Sequence, residues 1–113
     1  MTLTQPKTEF LTEALIEQVN DRWKVDSIES GRSFYSRLTY KVAKKYIKVL
    51  QGRVYSDGSY QTEGMFMFID KETGYVYKPA SYKAPAKGIR FHLESLVEHP
   101  GLVDPYGSFL YLR

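Results

Sequence analysis

The 113-residue chain has no cysteine. That excludes disulfides, thiolate metal ligands and cysteine nucleophiles at once, and it leaves a reducing compartment open to the protein. Long apolar runs are missing too. The longest, Met65 to Ile69, falls far short of the roughly 20 residues that a membrane helix needs. The amino terminus, MTLTQPKTEF, shows neither the basic start nor the apolar stretch of a signal peptide. These absences predict a protein with no membrane association and a cytoplasmic setting.

Catalytic signatures are equally scarce. The chain has no G-x-S-x-G elbow, no G-x-x-x-x-G-K-[ST] phosphate loop and no G-x-G-x-x-G fingerprint, so neither an enzyme nor a cofactor is expected. The nearest approach to a metal grouping is His92, Glu94 and His99, which lacks a third firm ligand. Asp70 and Glu72 flank a hairpin turn, where an aspartate ordinarily bonds its own backbone. A nuclease built on scattered carboxylates and histidines is therefore the weakest of the functional classes considered.

Aromatic residues, by contrast, make up 15% of the chain, with 42% apolar and 26% charged residues. This is the composition of a folding chain, and its length suits a single domain over residues 1–113. Charge is unevenly placed. Residues 1–30 carry three Lys/Arg and six Asp/Glu, residues 31–90 twelve and four, and residues 91–113 one and three, which gives −3, +8 and −2 within the net +3. A basic middle of this kind attracts anionic partners, nucleic acid foremost.

Patterning predicts one helix and then strands. Thr8 is placed to cap a helix running to Arg22, with Phe10, Leu11, Leu15, Ile16, Val19 and Trp23 as its apolar stripe and Glu9, Glu13 and Glu17 outside. Residues 24–33 have the composition of a connector. Phe34 to Val42 fits either period but is rich in strand formers. Tyr46 to Tyr55 and Tyr60 to Asp70 flank Asp57-Gly58, a tight hairpin turn signal. Lys71 to Gly74 then returns the chain into Tyr75 to Tyr77. A proline-punctuated loop, PASYKAPAKG, interrupts pairing before an alternating strand Ile89 to Leu93, and a last strand is predicted at Phe109 to Leu112. The expected fold is mainly β: an N-terminal helix on a strongly bent antiparallel sheet of about five strands, a small barrel over residues 34–113.

The functional signal is the interleaving of basic and aromatic side chains. Arg53, Tyr55 and Tyr60 bracket the first hairpin; Tyr75, Tyr77, Lys78, Tyr82, Lys83, Lys87 and Arg90 cluster about the second turn and the proline loop. Lysine and arginine follow phosphates while tyrosine rings stack on bases, so the candidate nucleic-acid-binding set is Arg53, Tyr77, Lys78, Tyr82, Lys83, Lys87 and Arg90. Tyrosines also stabilise sheets by cross-strand packing alone, and the lysines also suit a solvated surface.

The segment FIDKETGYVYKPASYKAPAKGIRFHL, residues 68–93, together with the closing GSFLYLR, resembles a large family of small marine phage proteins, chiefly of cyanophage origin. Their block reads F-[IV]-D-K-x-T-G-x-V-Y-K-x-A-S-[WFY]-K-A-P-A-K-x-x-R, with Tyr82 here in the aromatic slot. The resemblance implies an Sm-like fold: an N-terminal helix and a bent five-stranded barrel assembled edge to edge into a ring. It implies a role in RNA or DNA processing in the host cytoplasm. The Sm sequence signature itself is lacking, so no nucleotide-pocket residues carry over. The leading expectation is a nucleic-acid-binding protein, RNA more than DNA, working as a homo-oligomeric ring of about five to seven subunits. The rival is a structural or interaction protein, a virion component or host-protein adaptor, whose basic strip docks an acidic protein.

Overall fold

Two threonines set the position of the first helix. In the computed structural model, which describes residues 5–110, helix α1 spans Gln5–Glu29. Thr8 is not its cap: it lies inside the helix, fully buried, and donates through Oγ1 to the Lys71 carbonyl at 2.8 Å. Thr12 is buried one turn later, its hydroxyl donating to the Thr8 carbonyl at 2.8 Å. Phe10, two residues from each, points about 200° away from them and is 69% exposed. Leu15, Ile16, Val19 and Trp23 do form the buried stripe.

The helix also runs through most of the expected connector. Ser27 is buried against the sheet, with Oγ donating to the Phe34 carbonyl at 2.5 Å. Only at Gly31 does the chain turn, at φ 70°. There Arg32 N–H reaches back to the Ser27 carbonyl at 3.1 Å, the closure of a helix end that glycine allows.

Five strands follow in a single antiparallel meander, β1 (Phe34–Val42), β2 (Tyr46–Tyr55), β3 (Tyr60–Asp70), β4 (Tyr75–Tyr77) and β5 (Phe91–His92), each paired with the next. The ambiguous first segment is thus strand. The β2–β3 turn is closed by Asp57, whose Oδ1 accepts from Ser59 N–H at 2.9 Å, with Gly58 at φ 87°. Register shifts at Val49/Leu50 and Gln51/Gly52 bend β2. The sheet is open, with β1 and β5 at its ends, and its five antiparallel strands are consistent with the expected small bent barrel.

One face of the sheet meets α1. Leu38, Ile47, Val49, Met67, Ile69 and Val76 pack against the helix stripe, and Leu93, Leu96, Val103 and Leu110 close the remaining side. The C-terminal part departs from expectation. Only Phe91–His92 pairs, because Leu93–Glu98 is a short helix, α2. His92 starts it by accepting Glu94 N–H on Nδ1 at 3.2 Å. Ser108–Leu110 is a single 3-10 turn rather than a strand, and the rest of that predicted strand, residues 111–112, lies outside the described residues. No helix among the described residues is long and apolar enough to cross a membrane.

Candidate nucleic-acid interface

The sheet has a second apolar spot on the face away from α1. Strand alternation sends Ile47, Met67, Ile69 and Val76 to the helix, so Tyr46, Lys48, Phe68 and Tyr77 point the other way. Phe68 is fully buried yet stands outside the main core cluster. The Tyr46 ring meets it edge-on at 5.6 Å and the Tyr77 ring at 6.3 Å. The Lys48 ammonium lies 6.0 Å from the Phe68 ring centre and 5.0 Å from that of Tyr82. Tyr82, contributed by the proline loop, therefore sits over this face and is still 55% exposed.

The loop that presents it is held by its own backbone. Pro79 and Pro85 form an isolated bridge, Ala86 N–H donates to the Lys78 carbonyl at 2.7 Å, and Ala80 N–H donates to the Ala84 carbonyl at 3.0 Å. Ser81 Oγ accepts from the N–H groups of Lys83 and Ala84 at 3.2 Å each. A segment so closed presents its side chains with little further ordering to lose.

Charge on this face is mostly basic, with Asp70, the cross-strand partner of Tyr46, as an acidic exception. Lys41 of β1 is the direct cross-strand partner of Lys48 in β2, an arrangement that like charges make unfavourable. The ion pairs among the described residues are Arg22–Asp26 and Arg53–Glu63, so neither of these lysines is neutralised by one. Lys44 and Lys45 sit exposed in the β1–β2 turn, with the Lys45 ammonium 5.3 Å from the Tyr46 ring centre. Lys83 and Lys87 are exposed on the loop.

The structure sorts the sequence-predicted residues into three groups. Tyr77, Tyr82 and the loop bearing Lys78, Lys83 and Lys87 come together, although Lys78 is half-buried and its carbonyl is bonded within the loop. Tyr77 is also half-buried, and burial above all, with Asp70 and Tyr46 beside it, holds its hydroxyl pKa above the ordinary tyrosine value. Arg53 stands apart, five residues along β2 from Lys48: its Nε lies 3.1 Å from Glu63 Oε2 without hydrogen-bond geometry, and its guanidinium stacks 4.5 Å from the Phe34 ring centre. Arg90 is bound up in the fold. It donates to the Leu110 carbonyl at 2.5 Å and to the carbonyls of Lys87 and Gly88 at 3.1 and 2.9 Å.

The remaining candidates have local duties. Tyr55 packs on Phe34 at 6.3 Å, and Tyr75 on His92 at 5.7 Å. His92 places Nε2 2.8 Å from the Thr73 carbonyl while Nδ1 accepts from Glu94, so both ring nitrogens are engaged by backbone. Asp70 accepts Glu72 and Thr73 N–H groups at 2.9 and 3.1 Å, the turn role expected of it.

Lys41, Lys48 and Tyr46 were not singled out by sequence. The signal was weak but present: Tyr46 and Lys48 share a strand face by alternation. Only the β1–β2 register brings Lys41 opposite Lys48.

Beyond the geometry, no curated protein and no solved structure matches the chain. It belongs to a family of unknown function (DUF7717), which it matches over residues 3–112.

Proposed function

We propose that this member of that family binds single-stranded nucleic acid, RNA in preference to DNA, on the Lys41–Lys48–Tyr82 face and the proline loop beside it. The carrying observation is the direct opposition of Lys41 and Lys48, with the exposed Tyr82 ring over Lys48. Two opposed ammonium groups cost stability in the free protein, and a phosphate lying between them reverses the sign of that interaction. The open side of Tyr82 offers a stacking surface that any unpaired base can use, whereas bases within a duplex are already stacked.

The resemblance of residues 68–93 to small phage proteins supports the RNA side of this proposal and its wider setting. In that setting the bent sheet is Sm-like, the protein acts in RNA or DNA processing in the cytoplasm of an infected cell, and the working form is a ring of about five to seven copies.

The test is fluorescence anisotropy of a labelled single-stranded oligoribonucleotide against salt. Binding should weaken as salt rises, with a log–log slope of about −0.7 for each phosphate neutralised. Absence of binding at low salt, or binding indifferent to salt, overturns the proposal. Stoichiometric capture of one acidic protein by a chain that shows no oligonucleotide affinity would instead establish the adaptor class.

A further inference from the structure

The side of α1 that faces away from the core borders a groove along β1. Glu13, Glu17 and Asp21 line its helix wall, and Arg37, Thr39 and Tyr40 line its strand wall. The three acids recur every four residues, which places them about 6 Å apart in a row. All three are exposed, and Phe10 lies on the same helical face, 69% exposed. Lys24 closes one end, its ammonium 5.8 Å from the Tyr35 ring centre. At mid-groove the strand edge is already occupied, since Asn20 bonds both the N–H and the carbonyl of Leu38 at 2.7 and 2.9 Å. An occupant is thereby excluded from extending the sheet there and must be held by side chains along the rim.

The complementary surface lies elsewhere on the same chain. Lys83 and Lys87 stand four residues apart on the loop described above, followed by Ile89, 49% exposed. We infer that the α1–β1 groove of one copy receives the Lys83–Ile89 segment of a second copy, its lysines against Glu13 and Glu17 and Ile89 against Phe10. The contact joins two different surfaces, so it propagates head to tail and is of the kind that closes into rings. It deepens the assembly part of the proposed function and rests on it. Within an assembly it gives Lys83 and Lys87 to the subunit contact and leaves Lys41, Lys48 and Tyr82 to the nucleic acid.

Sedimentation velocity on nucleic-acid-free protein at low salt tests this with complementary charge reversals. The unmodified chain should self-associate. Glu13→Lys/Glu17→Lys and Lys83→Glu/Lys87→Glu should each be monomeric alone, with circular dichroism unchanged because the altered residues are exposed. Mixed in equal amounts, the two variants should associate again, since each supplies the charge that the other has given up. A monomeric unmodified chain, association that survives either reversal, or a mixture that stays monomeric overturns the inference. Oligonucleotide affinity of Lys41→Glu/Lys48→Glu is measured separately, so assembly and binding fail distinguishably.

Discussion

Asn20 does for β1 what a neighbouring strand would do. Its amide accepts from the Leu38 N–H at 2.7 Å and donates to the Leu38 carbonyl at 2.9 Å, closing the middle of an edge that would otherwise invite pairing. Asn20→Leu leaves both backbone groups without that partner and should cost about 2 kcal/mol in urea unfolding. Gly52 is constrained differently. A Cβ there would come within 2.5 Å of the Tyr60 ring and the Gln61 carbonyl, so Gly52→Ala should destabilise by about 1–3 kcal/mol, and removing the Tyr60 ring should not fully relieve it, because the carbonyl remains. Tyr40 and Tyr77 carry a pH signature. Burial is the main cause that raises both hydroxyl pKa values above 10.0, aided at Tyr40 by Glu13 and Glu9. An unfolded tyrosine ionises first as pH rises, so these two contribute stability below pH 10 that is lost above it. Urea midpoints should therefore fall on the alkaline side, and Tyr40→Phe/Tyr77→Phe should flatten that fall.

Among the elements, the β2–β3 hairpin was legible because Asp57-Gly58 names its turn chemistry, and the α1 core stripe because Leu15, Ile16, Val19 and Trp23 keep helical spacing. The extent of α1 was not. Nothing in Lys24–Glu29 looks apolar enough to continue a helix, but Ser27 and the Gly31 closure secure it through bonds to β1 and the helix end that only the fold supplies. The segment Ile89–Leu93 alternates like a strand yet turns into α2, because His92 caps a helix rather than extending a ladder. The proline loop was recognised as stiff and basic, while the contact of Tyr82 with Lys48 is made only in the folded sheet. Tyr82→Ala should leave thermal stability nearly unchanged, since the ring is more than half exposed. It should weaken single-strand binding by about 1–3 kcal/mol, roughly five- to 150-fold, if one base stacks there. Equal weakening for single-stranded and duplex probes would argue against stacking.

For the whole molecule, the charge map of the sequence turns out to be a map of surfaces. The acidic N-terminal region becomes, over Gln5–Glu29, a helix whose outer row is carboxylate, and the basic middle supplies the far face of the sheet and its loop. What the map could not give is register, which sets Lys41 against Lys48, or the partners of Arg53 and Arg90, which commit two of the most obvious cations to contacts within the fold. The proposed interface is therefore smaller and more lysine-based than composition suggests. The most direct measurement is the salt dependence of oligoribonucleotide affinity for the unmodified chain beside Lys41→Ala/Lys48→Ala. The account predicts weaker binding by the variant and a log–log slope shallower by about 1.4, the share of two phosphates on a single strand; an unchanged slope and affinity would contradict it.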